Sequence, residues 1–452
     1  MSRSYNIWTI GCQMNDADSR HLSSQLEALG YAHRPSAEEA DLVVLNTCVV
    51  RQQAEDKAIN HLHRLKVTKA SRPDMTIALM GCMVGMKEAP TLKKRFPFVD
   101  VFMPPSDTEP LLDYLSERGL YDADRSFDTR EKALRDAIQD EEFALPSGLR
   151  GQSVTANVPV VLGCSHACTF CIIPYRRGAE RSKPPTDILR EIEALVGQGV
   201  KEVMLLGQII DRYGTDFGDG TDLAGLLQRV AAVPGVARVR FLTSHPNWMT
   251  DRLLDVVAGT EKLCPHIEIP IQAGNDEVLE RMRRGYTVDQ YRRVMDRIRK
   301  RMPDAAINTD MIVGFCGETE AQFMDTYRLA EEMQWDKIHL AKYSERPKTI
   351  AARSMPDDVD PEEKERRRKM LDDRQTEILE AKNAVLQGQV VEVLVENKHK
   401  GKWRGRTPHN RLVFFEDDRD LTGQLVPVLI ERTAAYTLNG QAADRCAHAE
   451  AV

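Results

Sequence analysis

The chain repeats one pattern three times near its start: a short apolar strand, a cysteine, then polar or helical sequence. YNIWTI (5–10) ends at Gly11-Cys12, DLVVLN (41–46) at Thr47-Cys48 and TIALM (76–80) at Gly81-Cys82. A helical pattern follows the first strand, with Leu22, Leu26 and Leu29 on one face and Gly30 as its stop. A second helix is expected over roughly 51–69. Strands that alternate with helices pair in parallel, and ligands of such sheets bind outside the carboxyl ends of the strands. Cys12, Cys48 and Cys82 should therefore converge on one edge although they lie far apart in sequence. Cysteine is also a common small core residue, so each alone is open to that reading. The same structural slot filled three times favours a shared site for a metal or cluster.

A second set of cysteines lies in one loop. GCSHACTFCIIPYRRGAERSKP (163–184) places Cys164, Cys168 and Cys171 in a C-x3-C-x2-C triplet, with Phe170 before the third. Three thiolates this close can hold a soft metal or an iron–sulfur cluster. On a four-iron cube they leave one iron without a protein ligand, free to bind a small molecule. A zinc site with its fourth ligand elsewhere is the alternative.

Around this loop the β/α alternation continues. NVPVVLG (157–163) leads into it and a helix over 186–198 follows. Further strands are EVMLLG (202–207), RVRFLT (238–243), HIEIPI (266–271), INTDMIVG (307–314) and KIHLAKY (337–343). Thr287 with Gln290 and Thr319 with Gln322 are expected capping boxes. Six such units imply an open, partial version of the parallel β/α barrel, with its site at the C-terminal strand ends. A charged helix (361–386) is read as a solvated face leading to the last domain. Four short strands (389–396, 411–415, 424–430, 434–438) imply a small β-barrel. Lys398, Lys400, Lys402, Arg404, Arg406 and Arg411 surround Trp403 with no acid among them. The net charge is −7, so this segment is a local exception. Its cations can neutralise phosphates and its tryptophan can stack on an unpaired base; a merely soluble, mobile hairpin is the plainer reading.

The expected class is α/β: an N-terminal parallel α/β domain (1–140), a partial barrel (150–375) and a small C-terminal β-barrel (387–445), with 121–150 as a linker. No apolar run spans a membrane and the N-terminus lacks a signal-peptide core. That implies the cytoplasm, where nine cysteines are thiols or ligands rather than disulfides. Cys264, Cys316 and Cys446 are read as ordinary thiols.

Three motifs carry a resemblance over nearly the whole chain. The Cys164–Cys168–Cys171 loop resembles the radical S-adenosylmethionine (SAM) signature. GCQMND (11–16), LNTCVVR (45–51) and GCM (81–83) resemble the N-terminal domain of the methylthiotransferases, and GRTPHNR (405–411) resembles the TRAM domain, an RNA-binding barrel. The resemblance implies two 4Fe-4S clusters, one on Cys164, Cys168 and Cys171 and an auxiliary one on Cys12, Cys48 and Cys82. It implies SAM bound along an edge that includes Phe170, Gly207, Gln208, Ser244, Gln272 and Val313. GQIID stands where the family writes GQN-V-N, and Cys316 where it usually has proline. RNA contacts are expected from Arg176 and Arg177 besides the basic hairpin. The implied partners are a tRNA anticodon stem-loop and an electron donor such as flavodoxin or ferredoxin; the sulfur source is left open. No side chain is assigned as a catalytic acid or base. GCQMN implies methylthiolation at carbon-2 of N6-isopentenyladenosine beside the anticodon. Threonylcarbamoyl-adenosine, a ribosomal-protein aspartate, or non-catalytic RNA binding are the other readings.

Overall fold

The computed structural model describes residues 3–50, 52–120 and 145–443. Most of the expected linker, and Cys446, lie outside these residues. The chain divides into two compact units. One comprises residues 1–150, 157–167 and 171–198; the other comprises 151–156, 168–170 and 199–452.

The first unit is built on a five-stranded sheet in the order Ala32–His33, Ser4–Thr9, Leu42–Thr47, Thr76–Gly81, Val101–Met103, with every pairing parallel. Leu42–Thr47 and Thr76–Gly81 are buried along their whole length, as strands covered on both faces must be. Helices Gln13–Ala28 and Gln52–Ser71 follow the first and third of these strands in the chain. Leu22 and Leu26 are fully buried in the core on one face, with Val44 and Met80; Leu62 and Leu65 pack in the other with Leu45 and Leu79. The two outermost strands, Ala32–His33 and Val101–Met103, have two and three residues, too short to show periodicity.

In the same unit, Val161–Leu162 pairs antiparallel with Arg181–Ser182 and closes the base of the cysteine loop. Gly163 opens that loop at φ +70°, and a Cβ there would sit 2.2 Å from the Ala179 carbonyl oxygen. Only glycine fits both demands. The helix Ile173–Arg177 follows, with Pro174 in its first turn, and its neighbour Ile172 packs into the core that contains Cys82, Met83 and Val84.

In the second unit Glu202–Leu206 pairs in parallel with Arg238–Phe241, and the amides of Lys201 and Glu202 bond the Val154 carbonyl just ahead of the strand Thr155–Pro159. His266–Glu268, Ala306–Val313 and Lys337–Lys342 form a parallel three-stranded sheet. A parallel bridge between Val239 and Leu263 and the Ser244 amide on the Glu268 carbonyl join the two groups of strands. This is the open β/α barrel expected. Both capping boxes form, at Thr287–Gln290 and Thr319–Gln322.

Two expectations about the C-terminal third change. The charged helix, Pro361–Ala384, is not merely a solvated face: Lys364, Arg367, Leu371, Gln375, Ile378 and Leu379 form a buried stripe. Arg367 donates to the Glu318 carbonyl and carboxylate, both at 2.9 Å, so the stripe is polar where a hydrophobic pattern was sought. The terminal barrel is closed and has five strands: Val390–His399, Lys402–Arg406, Leu412–Glu416, Leu438–Ala442 and Leu425–Thr433 around the ring. The basic segment therefore supplies a strand of the barrel.

Candidate active site

The parallel sheet of the first unit delivers its cysteines as expected. Cys12, Cys48 and Cys82 each follow the end of a central strand, and they sense one another. Burial pushes the Cys82 thiol up to about 11; Arg177 opposes that, and Cys48 and Cys12 add to it. The backbone behind them is pinned by Asn15 and Asn46. Asn15 Nδ2 donates to Asn46 Oδ1 at 2.7 Å and to the Thr47 carbonyl at 3.1 Å, while Asn46 Nδ2 returns a bond to the Asn15 carbonyl at 2.9 Å. Gly81, at φ +96°, brings its Cα against Asn46 and Thr47, where a Cβ would lie 2.6 Å from an oxygen of each. Cys48 Sγ accepts from the Val50 amide at 3.4 Å. Cys12 is exposed and the other two are buried.

Arg177 completes this cluster and corrects a reading from sequence. It was expected at an RNA surface, but its side chain is only 3% exposed. Its neighbours are Cys82, Asp18 and Cys12, whose charges outweigh burial and hold the guanidinium firmly protonated. The Asp18 carboxylate lies 3.7 Å away and takes a 2.7 Å bond from Ser106. Arg177 Nε and Nη2 are buried without a hydrogen-bond partner. Arg176 is also committed internally, to the Met83 carbonyl at 3.4 Å and Glu88 at 3.8 Å.

These residues suit an iron–sulfur cluster by the chemistry of the donors: three thiols and a buried cation with unspent N–H groups. Among the described residues no three His, Cys, Asp or Glu side chains close around a single metal position. A multi-iron cluster takes its thiolates on separate irons, so thiols that sense each other across a gap are what it needs.

The loop cysteines divide between the units: Cys164 and Cys171 belong to the first, Cys168 to the second. Cys164 is buried, and its amide donates to the Gly178 carbonyl at 3.1 Å. Cys168 receives Arg284 Nη1 at 3.0 Å. Arg284 is itself fixed by the Tyr286 hydroxyl at 2.9 Å and the Pro270 carbonyl at 3.3 Å, so a guanidinium is held facing this thiol. Thr169 is anchored to the carbonyls of Met282 and Arg281, and Phe170 meets Phe315 edge-on.

Of the residues expected to bind SAM, Phe170 lies in the cysteine loop, and the others lie at or just beyond the C-terminal ends of strands in the second unit. Gly207 and Gln208 follow Glu202–Leu206. Ser244 follows Arg238–Phe241 after Thr243, which adopts φ +69°. Ser244 is buried, and its side chain hydrogen-bonds the Asp211 carboxylate. Gln272, at φ +76°, exchanges backbone bonds with Asp310 and Ile312, and Val313 ends the longest barrel strand. Asp211, in the GQIID segment, accepts the His245 amide at 2.7 Å, and burial raises its carboxyl to about 7 against that bond and one from Ser244. No sequence pattern marks Arg284, or Glu268, which burial and Asp310 raise to about 8.

The basic hairpin departs from expectation. Trp403 is 3% exposed in the core of the terminal barrel, with Nε1 on the Asp417 carbonyl, so its ring is not presented for stacking. Arg411 binds Asn383 at 2.9 Å and Asp336 at 3.1 Å, and Arg406 binds Asn410 and Glu396 at 3.2 Å. Arg404 lies 3.6 Å from Glu396 and Lys402 is paired with Glu416. Lys398 and Lys400 are exposed. The segment 406–410 instead faces the barrel: Arg240 donates to the carbonyls of Pro408 at 2.6 Å and Thr407 at 2.7 Å, and Arg238 to that of Arg406 at 2.6 Å.

Comparison with known proteins assigns the parts. Residues 158–330 match the radical SAM superfamily, 384–443 the TRAM domain and 4–104 the uncharacterized protein family UPF0004. A solved radical S-adenosylmethionine methyltransferase from Kitasatospora setae, with cobalamin and a 4Fe-4S cluster bound, shares the fold at TM-score 0.53 and 14% identity, over 78% of this chain and 77% of that one. The protein is thus a radical SAM enzyme with an added TRAM barrel, a class whose cofactors are SAM and a 4Fe-4S cluster. The tRNA-2-methylthio-N(6)-dimethylallyladenosine synthase of Chloroflexus aurantiacus is 44% identical over 97% of this chain and 91% of its own length. That of Dehalococcoides mccartyi strain CBDB1 is 43% identical over 97% and 98%. The chain belongs to this family of methylthiotransferases. Among the described residues, no helix is long and apolar enough to cross a membrane.

Proposed function

We propose that the protein attaches a methylthio group to carbon-2 of N6-isopentenyladenosine beside the anticodon of tRNA. The observation that carries this reading is the convergence of Cys12, Cys48 and Cys82 with Arg177, beside a separate three-cysteine loop, in a chain of this family. Its working segments are 1–140, 150–375 and 387–445. Cys164, Cys168 and Cys171 would hold the SAM-binding cluster, and Cys12, Cys48 and Cys82 a second one that presents sulfur. Together the bound groups supply one-electron chemistry able to break an aromatic C–H bond, which no side-chain base can do.

The protein's own residues bind and orient. Arg284 holds the Cys168 side chain in place through its Nη1 donor. Gly207, Gln208, Ser244, Gln272 and Val313 line the edge on which SAM would lie, with Ser244 held by the Asp211 carboxylate. Exposed Lys398 and Lys400 neutralise tRNA phosphates. The target base leaves its stack to reach the site, and the isopentenyl group adds apolar contacts that plain adenosine lacks. Flavodoxin or ferredoxin supplies electrons, and the setting is cytoplasmic.

The test is mass spectrometry of digested tRNA after incubation with SAM, a reductant and sulfide. Product is expected on isopentenyladenosine tRNA, with little on the unmodified tRNA. Equal product on threonylcarbamoyl-adenosine tRNA would sink the assignment.

A further inference from the structure

Arg177 is an expensive residue to bury. Its side chain is 3% exposed, and Nε and Nη2 lack hydrogen-bond partners. A guanidinium normally spends its five N–H donors on oxygen when it leaves water. Its one hydrogen bond to an oxygen is a long one, from Nη1 to Ser106 Oγ at 3.4 Å. The Asp18 carboxylate lies at 3.7 Å, beyond hydrogen-bond range, and its Oδ2 is unpartnered as well; burial raises its pKa, and Arg177 opposes that. Ser106, at φ +59°, ties down the other carboxylate oxygen. Besides Asp18, the groups that act on Arg177 are the thiols of Cys82 and Cys12, the first also through a side-chain hydrogen bond. The pair Arg177–Asp18 is therefore held short of closing, with donors unspent beside sulfur.

We infer that Arg177 is a positioning residue for the sulfur-bearing group held by Cys12, Cys48 and Cys82: its free N–H donors hydrogen-bond a sulfur of that group, and Asp18 sets how much positive charge the group feels. This rests on the reading that these three cysteines hold an iron–sulfur cluster. Hydrogen bonds to sulfur and nearby charge are among the determinants of a cluster's reduction potential. A cation favours the reduced, more negative cluster, and an anion opposes it. Arg177 and Asp18 should consequently move the potential in opposite directions. Arg177 also ends the helix that begins just after Cys171, so the segment leaving the loop cysteines supplies the cation for the other set.

The experiment uses the full chain with Cys164→Ala, Cys168→Ala and Cys171→Ala, leaving one cysteine set. Iron content and a potentiometric titration followed by electron paramagnetic resonance are measured after anaerobic reconstitution. The parent is expected to hold about four iron atoms. Arg177→Gln should shift the potential to more negative values, Arg177→Lys by less, and Asp18→Asn to more positive values. If Arg177→Gln does not retain iron, Arg177→Lys and Asp18→Asn carry the test by their opposite signs. A parent with iron whose potential is unmoved, or moved the same way by both kinds of variant, overturns the role of Arg177 alone. Loss of iron in all three variants also overturns it and makes the arginine purely structural. A parent without iron overturns the cluster reading and this inference with it.

Discussion

The two cysteine sets are built by opposite means. Cys12, Cys48 and Cys82 are brought together by a parallel sheet, and their geometry is as stiff as the strands and the Asn15–Asn46 exchange behind them. Cys164, Cys168 and Cys171 are neighbours in sequence, and their geometry depends on a loop that must be fastened at separate points: Gly163 against Ala179, Thr169 against Arg281 and Met282. Yet each set has one thiol beside a buried arginine, Arg177 for Cys82 and Arg284 for Cys168. The contrast shows that proximity in sequence is no substitute for a scaffold, and that charge compensation is needed in either case.

The strongest way to break this comparison is to delete each set. Replacing Cys164, Cys168 and Cys171 by Ala should halve the iron, from about eight atoms per chain, and abolish SAM cleavage. Replacing Cys12, Cys48 and Cys82 should also halve it but leave SAM cleavage without product on tRNA. Full iron after the second replacement would show that the strand-end thiols hold none.

The next contrast is in pH. Asp211 adjoins the edge proposed to bind SAM and is raised to about 7 by burial. Below about pH 4 folded and unfolded chains both carry the proton. Between there and pH 7 the unfolded chain ionises first, so stability falls as pH rises, by up to a few kcal/mol. Asp211→Asn should flatten this decline, read as urea midpoints from pH 5.5 to 7.5; an unchanged slope would place the proton elsewhere.

Backbone strain distinguishes the sets less sharply. Gly163→Ala forces a side chain into a left-handed conformation and against a carbonyl, at a cost of about 2 kcal/mol. Chemical denaturation should report that loss, and iron should be lost from the loop set only. The mildest change leaves both sets intact: Lys398→Ala with Lys400→Ala should reduce the salt slope of tRNA binding by roughly 1 to 2. A slope equal to that of the wild type would move RNA recognition away from these lysines.

Legibility in the sequence followed the visibility of apolar patterns. The central strands of the first sheet are continuous apolar runs, so their ends, and with them Cys12, Cys48 and Cys82, could be read directly. The strand Lys402–Arg406 could not: its inward residues are Trp403 and Gly405 among cations, and a glycine hides the alternation. The helix 361–384 buries lysine, arginine and glutamine along its stripe, which no hydrophobic pattern reveals. Arg177 is half of an Arg-Arg pair and reads as surface charge; only the sheet and the Ile173–Arg177 helix show that it turns inward. Arg284 lies more than a hundred residues from the thiol it serves, and nothing local announces it.

The contact between Arg240 and the carbonyls of Thr407 and Pro408 spans 167 and 168 residues of chain. On the ribosome, at about 5 to 20 residues per second, those acceptors arrive roughly ten to thirty seconds after Arg240 is made. During that interval Arg240 has Glu202 alone for company, on a strand whose guanidinium is otherwise fully enclosed. The catalytic barrel of a nascent chain is thus left open at one point until the final domain emerges. A chain that ends before residue 407 leaves the Arg240 guanidinium to water at that point.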